Sequence, residues 1–415
     1  MTVTADLRDA SRHVSALAGD RFEPLPFKPV SADSHVTEPP NCYVDHINPK
    51  YRDVAPHVIK GPTGGAVYVI DGPPGGKPMK IPMSFVASAG LDPREKIDGW
   101  SYEQFHRAGY DGTARTAAQD RDGIAGEIIF PSVGMVLCNH RDPEFKRACF
   151  DAYNRWLQEF QSAAPQRIFG IPQTAVTSVK QTISDLQRIK DMGFRGVLMP
   201  CEPCTEVDYD DEAFDPLWEA AVALELPLCF HILTSRSDGS IVQGATVHRG
   251  KGKANYQHTV IRANQDVISM FIWGRIFERF PALKIVCVEA DAGWAPHFMY
   301  RLDHFYNRHR YWQGAGDMKK MPSEYFSDNV YLTFQDDLVA FRSLDVINPH
   351  RLMWANDFPH SDSTWPLSQQ LLARQTQGIS DDERRWILRD NVVELFKLPI
   401  SLAEALPKEG GLMHA

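Results

Sequence analysis

The sequence predicts an α/β chain folded as a (β/α)8 TIM barrel with a long insertion after its first strand. Three observations predict it. From residue 126 onward, short apolar runs alternate with amphipathic helical stretches in one series, the pattern of a parallel sheet whose strands are joined by helices. With the run near residue 31, the strand-like segments number eight, which favours a closed barrel over an open doubly wound sheet. The interval between the first two strands is dense in Pro and Gly and reads as loop and small hairpins.

In order, residues 1–28 form a polar N-terminal arm, and 28–33 form a strand that stops at Ser34-His35. Residues 36–110 are the insertion, in which Val67-Tyr-Val-Ile70 reads as one strand of a hairpin. Intervals of that size inside a domain act as lids or subdomains. Strands then follow at 126–130, 167–171, 194–199, 226–231, 283–288, 330–333 and 351–354. Helices are expected over 142–164, 177–192, 211–224, 264–279, 294–308, 336–346 and 380–396. In the first of these, Phe145, Cys149, Tyr153 and Trp156 recur at helical spacing. Gly193 stops the second. Trp294, Phe298 and Tyr300 read as core of the helix after the sixth strand. The barrel domain thus spans 29–398, and 399–415 is a tail at its lower end.

The formal charge of -9 over 415 residues argues against a nucleic-acid partner, which needs a basic stripe. No window approaches the roughly 18 apolar residues of a membrane span, and the first residues lack the apolar core of a secretory signal. A cytoplasmic protein with a small-molecule substrate is the expectation. Seven cysteines make an odd and sparse set, so reduced thiols are expected. Cys201-Glu-Pro-Cys204 lacks the second pair that a zinc knuckle requires.

Barrel enzymes draw their reacting groups from the carboxyl ends of different strands. Here those ends carry Asp33 and His35, His231, Glu289, and Asp357 with His360 three residues on. Asp33 and His35 are two apart on a strand and therefore share a face, as a chelating pair would. His231 and Asp357 complete a mixed imidazole and carboxylate set suited to Zn2+, Fe2+ or Mn2+. Taken singly, each has a structural reading: a hydrogen-bonded histidine, a turn-forming aspartate. Their coincidence on strand ends points to a metal. His248 and His258 lie in the loop after the fifth strand, where a substrate-facing role competes with simple exposure. His106 and Arg107, late in the insertion, read as solvated surface, and Trp365 as pocket lining or packing.

At these residues the sequence resembles the amidohydrolase-related family of the amidohydrolase superfamily. That family includes aminocarboxymuconate-semialdehyde decarboxylase, γ-resorcylate decarboxylase and 5-carboxyvanillate decarboxylase. The resemblance runs through 32–39 (Ala-Asp-Ser-His-Val-Thr-Glu-Pro), 274–284 and 354–366. It implies Asp33, His35, His231 and Asp357 as ligands of one or two divalent ions, and a homodimer. Two positions depart from the pattern. The first motif is Asp-x-His, where His-x-His is usual. The sixth strand ends in Glu289, where the decarboxylases carry a histidine that acts on substrate. Glu289 then reads as a general base or as an added ligand supporting a second metal.

The leading expectation is a metal-dependent hydrolase of a small organic acid, ester, thioester or C–C bond. Metal-activated water attacks, and Glu289 and Asp357 are the catalytic residues. The alternative is metal-dependent non-oxidative decarboxylation of an aromatic or muconate-type acid. A further alternative is a non-catalytic binding barrel, which predicts no tightly held transition metal.

Overall fold

The structure is a computed structural model that describes residues 14–19, 21–71, 78–95, 97–235 and 260–402. Eleven strands are present among these residues: β1 Val30–His35, β2 His57–Lys60, β3 Ala66–Ile70, β4 Met79–Pro82, β5 Gly126–Phe130, β6 Ile168–Gly170, β7 Val197–Met199, β8 Leu228–His231, β9 Ile285–Val288, β10 Val330–Phe334 and β11 Leu352–Trp354. Eight of them form the barrel wall, all parallel, in the orders β1-β5-β6 and β11-β10-β9-β8-β7. Two seams close the ring. Gln173, just past β6, bridges Leu198 of β7 in parallel. Between β11 and β1, Asp357 N donates to Asp33 O at 3.0 Å and His35 N to Phe358 O at 2.7 Å.

Alternation along the strands sorts their side chains. Ile128, Phe130, Leu198, Cys229, Val286, Val288 and Met353 pack inside the ring, and Val392, Val393 and Phe396 stop its lower end. Their neighbours Ile129, Val197, Leu228, Phe230, Ile285, Cys287, Leu332 and Leu352 face the surrounding helices. This is the period-two pattern of strands buried on both faces. The same register carries Cys229 upward to His231, so the imidazole reaches the inside of the mouth.

Strand–helix order matches the sequence reading, with local corrections. The expected helix over 264–279 is two, Arg262–Trp273 and Ile276–Arg279. They are separated where Arg275 adopts φ 57°, a left-handed backbone that cannot continue a helix. The 336–346 helix shrinks to Leu338–Phe341, capped by the Asp337 side chain. The 380–396 helix carries a π-helical stretch, Trp386–Asp390. Tyr300 is not core: it is 63% exposed. Helices Gly112–Asp122, Pro322–Asn329 and Ser368–Gln375 carry little apolar periodicity and are not legible beforehand.

The insertion contains an antiparallel sheet, β2-β3-β4, with Val67–Ile70 paired on both sides. It buries Tyr43, Tyr68 and Met83 completely. Its two ends meet beside β1, where Thr37 N donates to Gly109 O at 2.8 Å and the Tyr102 hydroxyl donates to Thr37 O. The insertion is therefore fastened at the mouth next to His35. Among the described residues, no helix is long and apolar enough to cross a membrane.

Candidate metal centre

Asp33, His35, His231, Glu289 and Asp357 converge at the carboxyl end of the barrel. His35 Nε2 lies 3.4 Å from Asp33 Oδ1, 3.3 Å from Asp357 Oδ1 and 3.7 Å from Glu289 Oε2. His231 Nε2 lies 3.6 Å from Asp33 Oδ1 and 3.5 Å from Glu289 Oε2. An ion bound at about 2.0–2.2 Å holds neighbouring ligand atoms roughly 3.0–3.5 Å apart, close to these spacings.

The backbone bends to make this happen. Glu289 and Asp357 both sit in the left-handed region, at φ 53° and φ 54°, a costly state for residues with a Cβ and one concentrated at functional sites. At Glu289 it turns the carboxylate back over the mouth instead of letting the strand run on. Glu289 N is held by Thr333 Oγ1 at 2.8 Å.

Hydrogen bonds behind the cluster fix how the imidazoles present themselves. His35 Nδ1 is 3.0 Å from Pro131 O, and His231 Nδ1 is 3.0 Å from Ile232 O. A carbonyl only accepts, so each Nδ1 carries the proton and each Nε2 aims a lone pair at the cluster. Both Nε2 atoms, together with both carboxylate oxygens of Asp33 and of Asp357, are buried and have no hydrogen-bond partner. Leaving charged acceptors buried and unpaired is expensive, so this donor set fits a cation. The charges feel one another. Burial alone would raise the Asp33 carboxyl, but His231 and then His35 outweigh it and hold it at about 2. Burial and the neighbouring Glu289 push Asp357 well above the usual carboxylate range.

Several residues that sequence reasoning left aside hold the cluster. Arg115 is fully buried, pairs with Glu127, and donates to His35 O at 2.7 Å and Phe358 O at 3.1 Å. It thereby ties β1 to the turn after β11. The Asn356 side-chain oxygen accepts from Ser31 and Ser34, and its amide donates to Asp122 at 3.0 Å. Glu38, also fully buried, accepts from the backbone N–H groups of Ser132, Val133 and Gly134 at 3.0, 2.8 and 3.2 Å. Its spacing in Asp33-x-His35-x-x-Glu38 was the available signal. His360, which the sequence did place with Asp357 at the end of the last wall strand, has Nδ1 3.3 Å from Asp357 Oδ1.

The remaining candidates fall elsewhere. His106 is not solvated surface: it is half-buried, bonded to Ala89 O at 3.0 Å and packed on Phe358 and Trp365. Arg107 is exposed and paired with Asp111. Trp365 packs against Phe358. Cys201 and Cys204 form no disulfide among the described residues, and they contact Thr234 and Lys146 respectively. They belong to no group of metal donors among the described residues. His248 and His258 lie outside the described residues.

Comparison with known proteins agrees with this architecture. An amidohydrolase from Mycobacterium avium subsp. paratuberculosis K-10 superposes with a TM-score of 0.68 at 20% identity, over 89% of this chain and 99% of its own. The 5-carboxyvanillate decarboxylase of Sphingomonas paucimobilis superposes at 0.60 and 19%, over 90% and 99%. A dihydroxybenzoic acid decarboxylase from Polaromonas sp. JS666, solved with bound manganese and the inhibitor 2-nitroresorcinol, gives 0.56 and 17%, over 90% and 98%. At these identities the likeness speaks for the fold. The family itself is set by sequence: the amidohydrolase profile matches residues 79–398, and the chain belongs to the amidohydrolase family.

Proposed function

We propose that this chain is a metal-dependent carboxy-lyase that removes CO2, without redox chemistry, from a small aromatic or unsaturated acid. Asp33, His35 and His231 hold the ion, and Asp357 stands beside it, 3.3 Å from His35. The observation that carries the reading is the convergence of buried, unpartnered donor atoms in two overlapping groups, Asp33, His35 and His231 with Glu289, and Asp357 with His35, Glu289 and His360. That several proteins sharing the fold are decarboxylases, two of them with bound manganese, supports lyase chemistry over hydrolysis. When bound, the ion would supply a Lewis acid that offsets the negative charge of the substrate's carboxylate.

The protein does the rest. Arg115 and the Asn356 network keep the two ligand-bearing strand ends from separating. Phe130 lies beside the two imidazoles, with ring centroids 6.3 Å from His35 and 5.4 Å from His231, and makes that side of the cluster apolar. Asp357, pushed toward its protonated form by burial and Glu289, supplies the proton for the carbon that loses CO2. Glu289, whose side chain is 17% exposed and is the one member of the cluster open to the mouth, favours that protonation by its charge.

A hydrolase remains the second reading, favoured by Glu289 itself. A carboxylate 3.5 and 3.7 Å from the two imidazoles is placed to take a proton from water. Isotopes separate the two. Hydroxybenzoates, unsaturated acids, esters, thioesters and diketones are offered in D2O and, separately, in 18O-water. Decarboxylation yields CO2 and one deuterium on the vacated carbon. Product carrying 18O with no CO2 released overturns the lyase reading.

A further inference from the structure

His360 stands close enough to be counted among the metal donors: with His35, Glu289 and Asp357 it forms a second group of suitable atoms. The ring planes argue otherwise. An imidazole binds a metal along a lone pair that lies in the plane of its ring. Two imidazoles on one ion therefore need ring planes that meet at the ion, about 2.0–2.1 Å from each nitrogen. His35 and His231 satisfy this, with centroids 5.0 Å apart and planes at 79°. His35 and His360 do not. Their centroids are 3.8 Å apart at only 18°, too close for coplanar rings, so they lie face to face and their in-plane lone pairs run side by side.

The hydrogen bonds of His360 give the stack a purpose. Ser132 Oγ lies 2.6 Å from Val36 O and 2.7 Å from His360 Nε2. The serine has one proton and the carbonyl can only accept, so Ser132 donates to Val36 and receives the Nε2 hydrogen of His360. This pins His360 at its outer edge. The His35 ring makes a single hydrogen bond, from Nδ1 to Pro131 O, and its plane is otherwise held by packing, edge-on against His231 and face-on against His360. Phe130 lies tilted at 46° and 6.3 Å, farther off than either histidine, and His360 is the ring that covers the face of His35.

We propose that His360 is a positioning residue and not a ligand: a plate, clamped by Ser132, that fixes the ring plane of His35 so that Nε2 meets the ion. This rests on the reading of His35 as an ion ligand. The test uses zinc-loaded full-length protein, X-ray absorption to count coordinating imidazoles, and competition with a chelating dye to measure affinity. Wild type should show two imidazoles. His360→Ala should still show two but bind zinc about 10- to 100-fold more weakly, the usual loss when an orienting partner is removed. His360→Phe, which keeps a flat ring and no nitrogen, should recover most of that affinity. Three imidazoles in wild type, falling to two in His360→Ala, overturn the proposal. So does a His360→Ala protein that binds zinc as wild type does. His35→Ala is the control on the underlying reading: if it retains wild-type affinity, His35 is no ligand and the failure lies there.

Discussion

Adding a divalent ion to metal-free protein should raise its melting temperature by an amount that can be worked out beforehand. The cluster has four carboxylate oxygens and two imidazole nitrogens buried without partners in Asp33, Asp357, His35 and His231, groups that an unfolded chain would not gather. An ion that binds only the native state stabilises it by RT ln(1 + [M]/Kd), about 2.7 kcal/mol at a hundredfold excess over Kd. Unfolding entropy runs near 2.1 cal/mol/K per residue, or roughly 0.9 kcal/mol/K for 415 residues. The shift should therefore be about 3 °C at hundredfold saturation and about 5 °C at thousandfold. Protein stripped with chelator and titrated with Mn2+, Zn2+ or Fe2+ under scanning calorimetry provides the assay. Asp33→Ala and His231→Ala should abolish the shift, because each removes a donor central to the spacing. A full shift in both variants, or none with any of the three ions in wild type, would refute the cage and with it the proposed chemistry.

Other expectations follow from neighbouring residues. Arg115→Met should leave Glu127 buried and unpaired and cost about 3–5 kcal/mol in urea unfolding; a loss below about 1 kcal/mol contradicts the role given to the pair. Burial, outweighing the backbone bonds that stabilise its charge, raises the Glu38 carboxyl from 4.5 to about 7. A raised carboxyl stabilises the fold below pH 4.5, and that contribution is lost as pH rises through about 7. Wild type should therefore lose roughly 3 kcal/mol more than Glu38→Gln between pH 4 and 8, and parallel stability curves would count against it. Gly134→Ala would put a Cβ 2.0 Å from Gln173 Oε1 and 2.7 Å from Pro131 Cβ, so unfolding should become easier by about 1–3 kcal/mol, read from the urea midpoint. Glu289→Gln should slow hydrolysis by about 10²–10⁴ if that carboxylate is a general base, and should leave CO2 release far less affected if it is not.

Much of this was legible in the sequence because strand ends are where barrel geometry and residue chemistry coincide. Short apolar runs located all eight wall strands, and polar residues terminating them named Asp33, His35, His231, Glu289 and Asp357. What stayed hidden shares one cause: it depends on contacts between segments far apart in the chain. Arg115 lies on a helix of weak amphipathicity, and nothing local says that it reaches His35 O and Phe358 O across 80 and 243 residues. Helix 264–279 read as continuous because Arg275 is a good helix former, yet the backbone turns left-handed there. Tyr300 follows the helical spacing of Trp294 and Phe298 only loosely and faces outward. The stack of His360 on His35 could not be read from spacing, since ring planes are set by Ser132 and Pro131 together.

The two candidate chemistries assign opposite proton counts to the same pair of carboxylates. With Asp33, Asp357 and Glu289 all ionised, a divalent ion leaves the cluster negative, a poor reception for a substrate that is itself a carboxylate. Lyase chemistry therefore needs one of the three to carry a proton, and Asp357 is the one that burial and Glu289 push that way. The proton required at the vacated carbon is then stored beside it, kept there by the charge of Glu289. Hydrolysis needs the reverse: Asp357 ionised and gripping the ion, Glu289 empty to receive a proton from water. Replacing Glu289 by glutamine thus acts on both schemes through different atoms. It removes the base from one, and from the other only the charge that helps Asp357 hold its proton, so lyase activity should persist with its pH profile displaced to lower pH while hydrolase activity should collapse at every pH.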